Sequence, residues 1–175
     1  MKKILITGGA GYIGSHVAEI LVKDRAKIFI IDNLTTGFKK LINKKAKFFK
    51  VDINNTKKIK QIITDNKIES IIHLAAALSV GESEKNPEKY NRINVRGTEN
   101  LLKAIINTYV KNIIFSSTCA VYKDGFFKVS EKTELKPTSV YGKTKLKGEK
   151  LIKIFCKKYN INYGILRFFN VAGAS

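Results

Sequence analysis

The sequence has no tryptophan, one methionine, two prolines and two cysteines in 175 residues. Cys119 and Cys156 show no CxxC spacing. That excludes a disulfide framework or a cysteine-rich zinc site and suits a reducing, cytoplasmic setting. The two histidines, His16 and His73, form no HxH or HExxH pattern, so each reads as structural and no metal is expected. No apolar run approaches the roughly 20 residues that cross a bilayer. The basic start at Met1-Lys2-Lys3 leads into an apolar run that Gly8-Gly9 breaks at once, unlike a signal segment. Acidic side chains are scarce, 14 against 33 basic ones, giving a formal charge of +19 and a pI near 9.9. Such a balance is the footprint of nucleic-acid binding. Arginine is equally scarce, however, with only Arg25, Arg92, Arg96 and Arg167, and no aromatic residues interleave with a basic stripe. The charge therefore reads as surface lysine, nucleic acid is not an expected partner, and attraction of a small polyanion is a by-product.

What is present is a globular pattern, 44% hydrophobic with a mean hydropathy of −0.12. At this length about 70% of the unfolded surface can be buried, enough for one domain with a proper core. Apolar runs predict strands over 2–7, 27–32, 46–51, 70–74, 112–116 and 161–168. Helical spacing predicts helices over 12–23, 57–65, 90–107 and 141–159, with Pro87 at an early helical position and a loop over 123–139. Continuous apolar strands alternating with helices demand an α/β, doubly wound parallel sheet of the Rossmann type, with helices on both faces. The strand ends that bind ligands then share one edge.

The first strand runs into Gly8-Gly9-Ala10-Gly11-Tyr12-Ile13-Gly14. Glycines at 8, 11 and 14 suit a tight turn, a backbone that approaches a pyrophosphate, and a close helix–strand contact. The following helix N-terminus would face the phosphates. Asp32, ending the second strand, suits the ribose hydroxyls and would repel a 2′-phosphate, which favours NAD over NADP. Asp52, ending the third, either faces the adenine ring or is a solvated strand-end acid. Tyr141 and Lys145 share a helix face at i, i+4. A phenol with a pKa near 10 is a poor base, and an adjacent ammonium and a positive nicotinamide ring would both lower it. YxxxK arises easily by chance in so lysine-rich a chain and gains weight only beside the glycine turn. A hydroxyl from Ser116-Ser117-Thr118 would complete a hydrogen-bonded trio around a substrate alcohol.

These motifs resemble the extended short-chain dehydrogenase/reductase family, and within it the branch that epimerises UDP-hexoses at C4. The resemblance runs collinearly through 7–16, 32–34, 52–53, 73–76, 80–83, 94–98, 115–122, 141–145 and 166–174. It implies Thr118, Tyr141 and Lys145 as the catalytic group. It implies NAD held by Gly8, Gly11, Tyr12, Ile13, Gly14, Asp32, Asn33, Asp52, Ile53, Leu74, Ala75, Ala76, Asn94, Tyr141, Lys145 and Phe168. A UDP-sugar would meet Thr118, Tyr141 and Asn170, with Asn94 supporting the helix near the lysine. Tyr141 would take the 4-hydroxyl proton while hydride leaves C4 for NAD, and the 4-keto sugar would turn and accept hydride on its other face. Related dehydratases carry Asp-Glu after the threonine, and Cys119-Ala120 stand there instead, which points to epimerisation. Cys119 itself reads as a buried, inert thiol. The chain departs from the family at Lys123, Val140, Phe168 and Leu78, and the last two bear on cofactor retention. It is about half the family's length, so it is expected to be an N-terminal, NAD-binding portion without most of the sugar site. The other readings are a non-catalytic dinucleotide-binding module or another epimerase or dehydratase of the family. A homodimer through parts of 84–107 and 141–159 is also implied.

Overall fold

The computed structural model describes residues 1–125 and 128–173. Its strands are β1 (Lys3–Thr7), β2 (Lys27–Asp32), β3 (Lys47–Lys50), β4 (Ser70–His73), β5 (Asn112–Thr118) and β6 (Asn162–Phe168). All pair in parallel, in the order β3-β2-β1-β4-β5-β6. Consecutive strands run outward from β1 in both directions, so the chain reverses its winding between β1 and β4. A crevice opens there at the carboxyl ends of the strands.

The helices are α1 (Tyr12–Lys23), α2 (Thr56–Asn66), α3 (Val80–Lys85), α4 (Pro87–Tyr90), α5 (Gly97–Ile105) and α6 (Val140–Tyr159). Alternate residues of each inner strand feed two cores. Ile4, Ile6, Ile28 and Ile30 pack on Ala18, Val17 and Leu21 of α1. Leu5, Phe29, Ile31, Ile71, Ile113 and Phe115 pack on the other face against α2, α5 and α6 through Ile59, Ile63, Leu101, Ile105, Ile152 and Cys156. Both faces are thus helix-covered as the sequence predicts. The cover on the α1 side ends before β5 and β6, where Ile114 (38%) and Leu166 (46%) remain exposed.

The differences from the sequence reading are local. The helix expected over 90–107 is Pro87–Tyr90, then a wider π-helical turn at Asn91–Arg96, then Gly97–Ile105. The wide turn carries Asn94, whose buried side chain is bonded sideways to Ala77 and Thr144. Helix α3 was not anticipated. Strand β5 runs to Thr118 because Ser117 and Thr118 continue the ladder opposite Arg167 and Phe168. Of the loop expected over 123–139, Phe126 and Phe127 lie outside the described residues, as does Ala174.

Candidate active site

The turn after β1 is shaped by three glycines in different ways. Gly8 has φ +74, and a Cβ on it would lie 2.7 Å from the Ala75 nitrogen. A Cβ on Gly14 would lie 2.3 Å from the Gly8 carbonyl oxygen, so α1 starts in contact with the strand end. On Gly11 it would meet only the Gly8 oxygen, at 3.3 Å. That glycine therefore borders open space at the start of α1. The helix start has no side-chain cap and no acidic residue in its first turn. Its N–H groups and dipole stay available to an anion. This is the cradle a dinucleotide pyrophosphate requires.

Asp32 braces the same turn. Its Oδ2 accepts the Ala10 N–H at 3.0 Å and its Oδ1 the Leu34 N–H at 2.8 Å. Two of the four lone-pair positions of this half-buried carboxylate remain open to further hydrogen-bond donors. Asn33 donates to Asp52 Oδ2 at 2.8 Å, and Asp52 Oδ1 accepts from the main-chain N–H and the side-chain amide of Asn54. Burial raises the Asp52 carboxyl, but these bonds and Arg92 outweigh it and hold it below the ordinary carboxylate range. Ile53 is buried beneath Gly97, so its side chain belongs to the core. The Tyr12 hydroxyl donates to the Gly173 carbonyl across a groove that Ile13 also lines. The main-chain N–H groups of these two residues stand at the start of α1, beside the glycine turn. Leu74, Ala75 and Ala76 follow β4 at the crevice, where the Ala75 N–H donates to Thr7 Oγ1 at 3.3 Å.

Three caps aim α6 at the end of β5. The Gly142 N–H donates to Ser139 Oγ, the Tyr141 N–H to Ser83 Oγ at 3.0 Å, and the Val140 N–H to Glu84 Oε1 at 2.7 Å. A proline at 140 would have no N–H for Glu84. Gly142 lets the helix touch the strand end, since a Cβ there would lie 2.3 Å from the Ala120 oxygen. The phenol of Tyr141 thereby comes close enough to the Thr118 hydroxyl for that group to lower its pKa. One turn on, Lys145 is 3% exposed with its ammonium 4.8 Å from the centroid of Phe115. Phe168 pairs with Thr118 across β5 and β6, and Asn170 is exposed just beyond.

Two expectations are corrected here. Tyr141 lies above the ordinary phenol value: burial is the largest cause, the Thr118 hydroxyl offsets it in part, and the Cys119 thiol adds to the rise. Burial, Thr118 and Cys119 set this shift, and Lys145 is not among its causes. Cys119 is half-buried rather than buried. Burial pushes Lys145 down to about 8, with Glu149 acting the other way.

Sequence reasoning missed the groups around this trio. Glu149 is fully buried one turn beyond Lys145 and accepts two bonds from Arg167, at 2.9 and 2.8 Å, and one from Ser117 at 2.5 Å. Its spacing of four from Lys145 and eight from Tyr141 was a usable signal. A second buried chain links Thr7, His73, Thr98 and Asn94. Thr98 spends its proton on the Asn94 carbonyl, so it accepts from His73 Nε2–H, and Nδ1 accepts from Thr7. His73 is thus structural and neutral, with burial and then Lys145 pushing it down to about 3. His16 sits on α1 with Nδ1 2.9 Å from the Tyr12 carbonyl. Among the described residues no group of three or more His, Cys, Asp or Glu could hold a metal, and no helix is long and apolar enough to cross a membrane.

A parallel sheet of this order, covered by helices and opening at a glycine turn, defines a Rossmann-type α/β domain. The model of the NAD dependent epimerase/dehydratase family matches residues 4–175, and the chain belongs to that family. It is similar to UDP-glucose 4-epimerase of Lactobacillus helveticus, 44% identical over 99% of this chain and 53% of that protein. The crystal structure of UDP-glucose 4-epimerase from Brucella ovis in complex with NAD superposes with a TM-score of 0.96 at 36% identity, over 100% of this chain and 54% of that one. The UDP-Glc/GlcNAc 4-epimerase from Campylobacter jejuni superposes at 0.94 with 38% identity, over 100% of this chain and 55% of that one. The chain therefore spans about half the length of the relatives it matches.

Proposed function

We propose that residues 1–175 form the NAD-binding domain of a nucleotide-sugar 4-epimerase and contribute its acid–base group. The observation that carries this reading is the trio at the carboxyl edge. The Tyr141 phenol faces the Thr118 hydroxyl, and Lys145 lies one turn away, beside an open glycine cradle. The UDP-glucose 4-epimerase from Brucella ovis, whose structure superposes on this chain, was solved in complex with NAD. Bound NAD supplies the hydride acceptor for the sugar carbon. The main-chain N–H groups at Tyr12, Ile13 and Gly14 hold the pyrophosphate, and Asp32 takes the adenosine ribose. Asn33 and Asp52 border the adenine. Leu74, Ala75, Ala76 and Phe168 flank the crevice, and Asn94 secures it from below. Tyr141 takes the proton of the sugar 4-hydroxyl and later returns it, with Thr118 sharing that hydroxyl. Lys145 offers three N–H donors and a positive charge beside the phenol. Asn170 contacts the sugar.

No carboxylate stands at Cys119-Ala120 to drive loss of water, which favours epimerisation over dehydration. The substrate class follows the relatives, a UDP-hexose such as UDP-glucose or UDP-galactose. The compartment follows the free thiols, the cytoplasm. A homodimer would form through α5 and α6. Lys147, Lys150 and Lys153 are exposed on α6, so sedimentation should show association strengthening as salt screens them.

The test is to incubate the chain with NAD and UDP-galactose and follow UDP-glucose, with Tyr141→Phe as control and a parallel NAD titration. Turnover lost in Tyr141→Phe supports the full reading. NAD binding without turnover leaves a cofactor-binding module, and absence of NAD binding sinks both.

A further inference from the structure

We infer that Phe115 is a positioning residue for Lys145, its ring face holding the ammonium at the crevice without using any of its N–H donors. Lys145 Nζ lies 4.8 Å from the ring centroid. The other lysine–ring pairs among the described residues are 5.3 Å or more apart and involve exposed lysines. Here the lysine is 3% exposed and the ring 2%, so water does little to screen the attraction.

Two neighbours hold the ring. A Cβ on Gly148 would lie 2.6 Å from Phe115 Cζ, so the ring tip presses into α6 where that helix lacks a side chain. It also meets the His73 imidazole, with centroids 5.6 Å apart. The charged and titratable groups around Lys145 leave this role to the ring. Glu149, on the same helix, is committed to Arg167 and Ser117. His73, on β4, is held neutral by Thr7 and Thr98. Tyr141, a turn earlier, faces the Thr118 hydroxyl and is a neutral phenol raised above its ordinary value. Among the described residues no salt bridge reaches Lys145.

An aromatic face suits such a position. A carboxylate would accept one or two of the three N–H groups and fix their direction. A ring attracts the charge and leaves all three donors to be aimed at a ligand. The use of those donors rests on the proposed function, but the position of the ammonium does not.

The test replaces Phe115 with 4-fluoro-, 3,5-difluoro- and 3,4,5-trifluorophenylalanine in the full chain and follows the Lys145 ¹³Cε resonance against pH. Fluorine drains the ring face while barely changing its shape. The Lys145 pKa should fall stepwise, by about 0.5–1 for the trifluoro ring, with the unfolding temperature nearly constant. A merely structural ring would leave it flat across the series, and that result overturns the inference. Phe115→Leu should lower it in the same direction; if that variant does not fold, the fluorinated series decides. An NAD titration of the same samples separates the two readings. A pKa that follows fluorination in a chain that ignores NAD sinks the proposed function alone, and a flat pKa in a chain that binds NAD sinks this inference alone.

Discussion

Asn94 grips the main chain of Ala77 from both sides, its Oδ1 accepting the Ala77 N–H at 2.8 Å and its Nδ2 donating to the Ala77 carbonyl at 3.1 Å. The same amide nitrogen reaches Thr144 Oγ1 at 3.1 Å, one residue before Lys145. One side chain thus ties the segment after β4 to α6. Asn94→Ala leaves two main-chain groups of Ala77 without partners in a half-buried place, at about 1–3 kcal/mol each. We expect a loss of at least ~2 kcal/mol in urea unfolding. Asn94→Asp can still accept from the N–H but turns a carboxylate on the carbonyl, so it should recover stability as pH falls toward 4. A loss under about 1 kcal/mol for the alanine variant would refute the clamp.

His73 makes a pH prediction. Its folded-state pKa of about 3 lies below the ordinary 6.5, because burial first and Lys145 second disfavour the imidazolium. A depressed base stabilises the fold while it is neutral in both states. That contribution is complete above about pH 6.5 and is lost as pH falls toward 3, at about 1.4 kcal/mol per pH unit. Asp52 and Glu149, held low in the fold, lose stability in the same direction, so the comparison must be differential. Between pH 6 and 4.5 the native chain should lose about 1–2 kcal/mol more than His73→Gln. A His73 imidazole titrating near 6.5 by NMR would rule this out.

Much of this architecture can be read from residues. The helix Tyr12–Lys23 and the strand Lys27–Asp32 have the bounds that their apolar spacing, Gly11 and Asp32 suggest. The π turn could not be read, because apolar spacing runs unbroken through 90–107 and the widening follows from where the Asn94 side chain must reach. Helix α3 hid behind the small residues at 75–77. Its signal was nonetheless there, Ser79 accepting from the Glu82 N–H in the S-x-x-E spacing of a helix start. The direction of the Tyr141 shift was out of reach for another reason. It is set first by how deeply the phenol is buried, which follows from the packing of α6 against the end of β5 and not from the spacing of Tyr141 and Lys145.

The three glycines separate folding from cofactor binding. Gly14→Ala would put a methyl 2.3 Å from the Gly8 oxygen, a main-chain clash that nothing flexible can relieve. It should destabilise by about 1–3 kcal/mol or more. Gly11 has φ −83 and ψ 174, which alanine adopts readily, and its added Cβ meets one atom at 3.3 Å. Gly11→Ala should stay within about 1 kcal/mol of the native chain. It should also weaken NAD at least ~10-fold, because the methyl enters the space the phosphates need. Calorimetric titration beside thermal unfolding measures both. Unchanged NAD affinity in folded Gly11→Ala would move the pyrophosphate away from this turn.

Glu149 and Arg167 form the most deeply placed ion pair among the four in the described residues, 0% and 13% exposed against 39% or more for both partners of the others. Burial raises the Glu149 carboxyl, yet the Arg167 and Ser117 bonds outweigh it and keep the group ionised. Glu149→Gln leaves the guanidinium half-paired inside the domain, at a cost of about 3–5 kcal/mol. The pair need not be net stabilising against an apolar core, so Glu149→Leu with Arg167→Met should recover much of that loss, and a double-mutant cycle in urea would show strong coupling. Because Glu149 also raises Lys145, every folded variant lacking its charge should show Lys145 titrating lower than in the native chain. That second readout distinguishes a pair that only braces α6 against β6 from one that also sets the charge beside Tyr141. If Lys145 titrates unchanged in the apolar double variant, the pair is bracing alone.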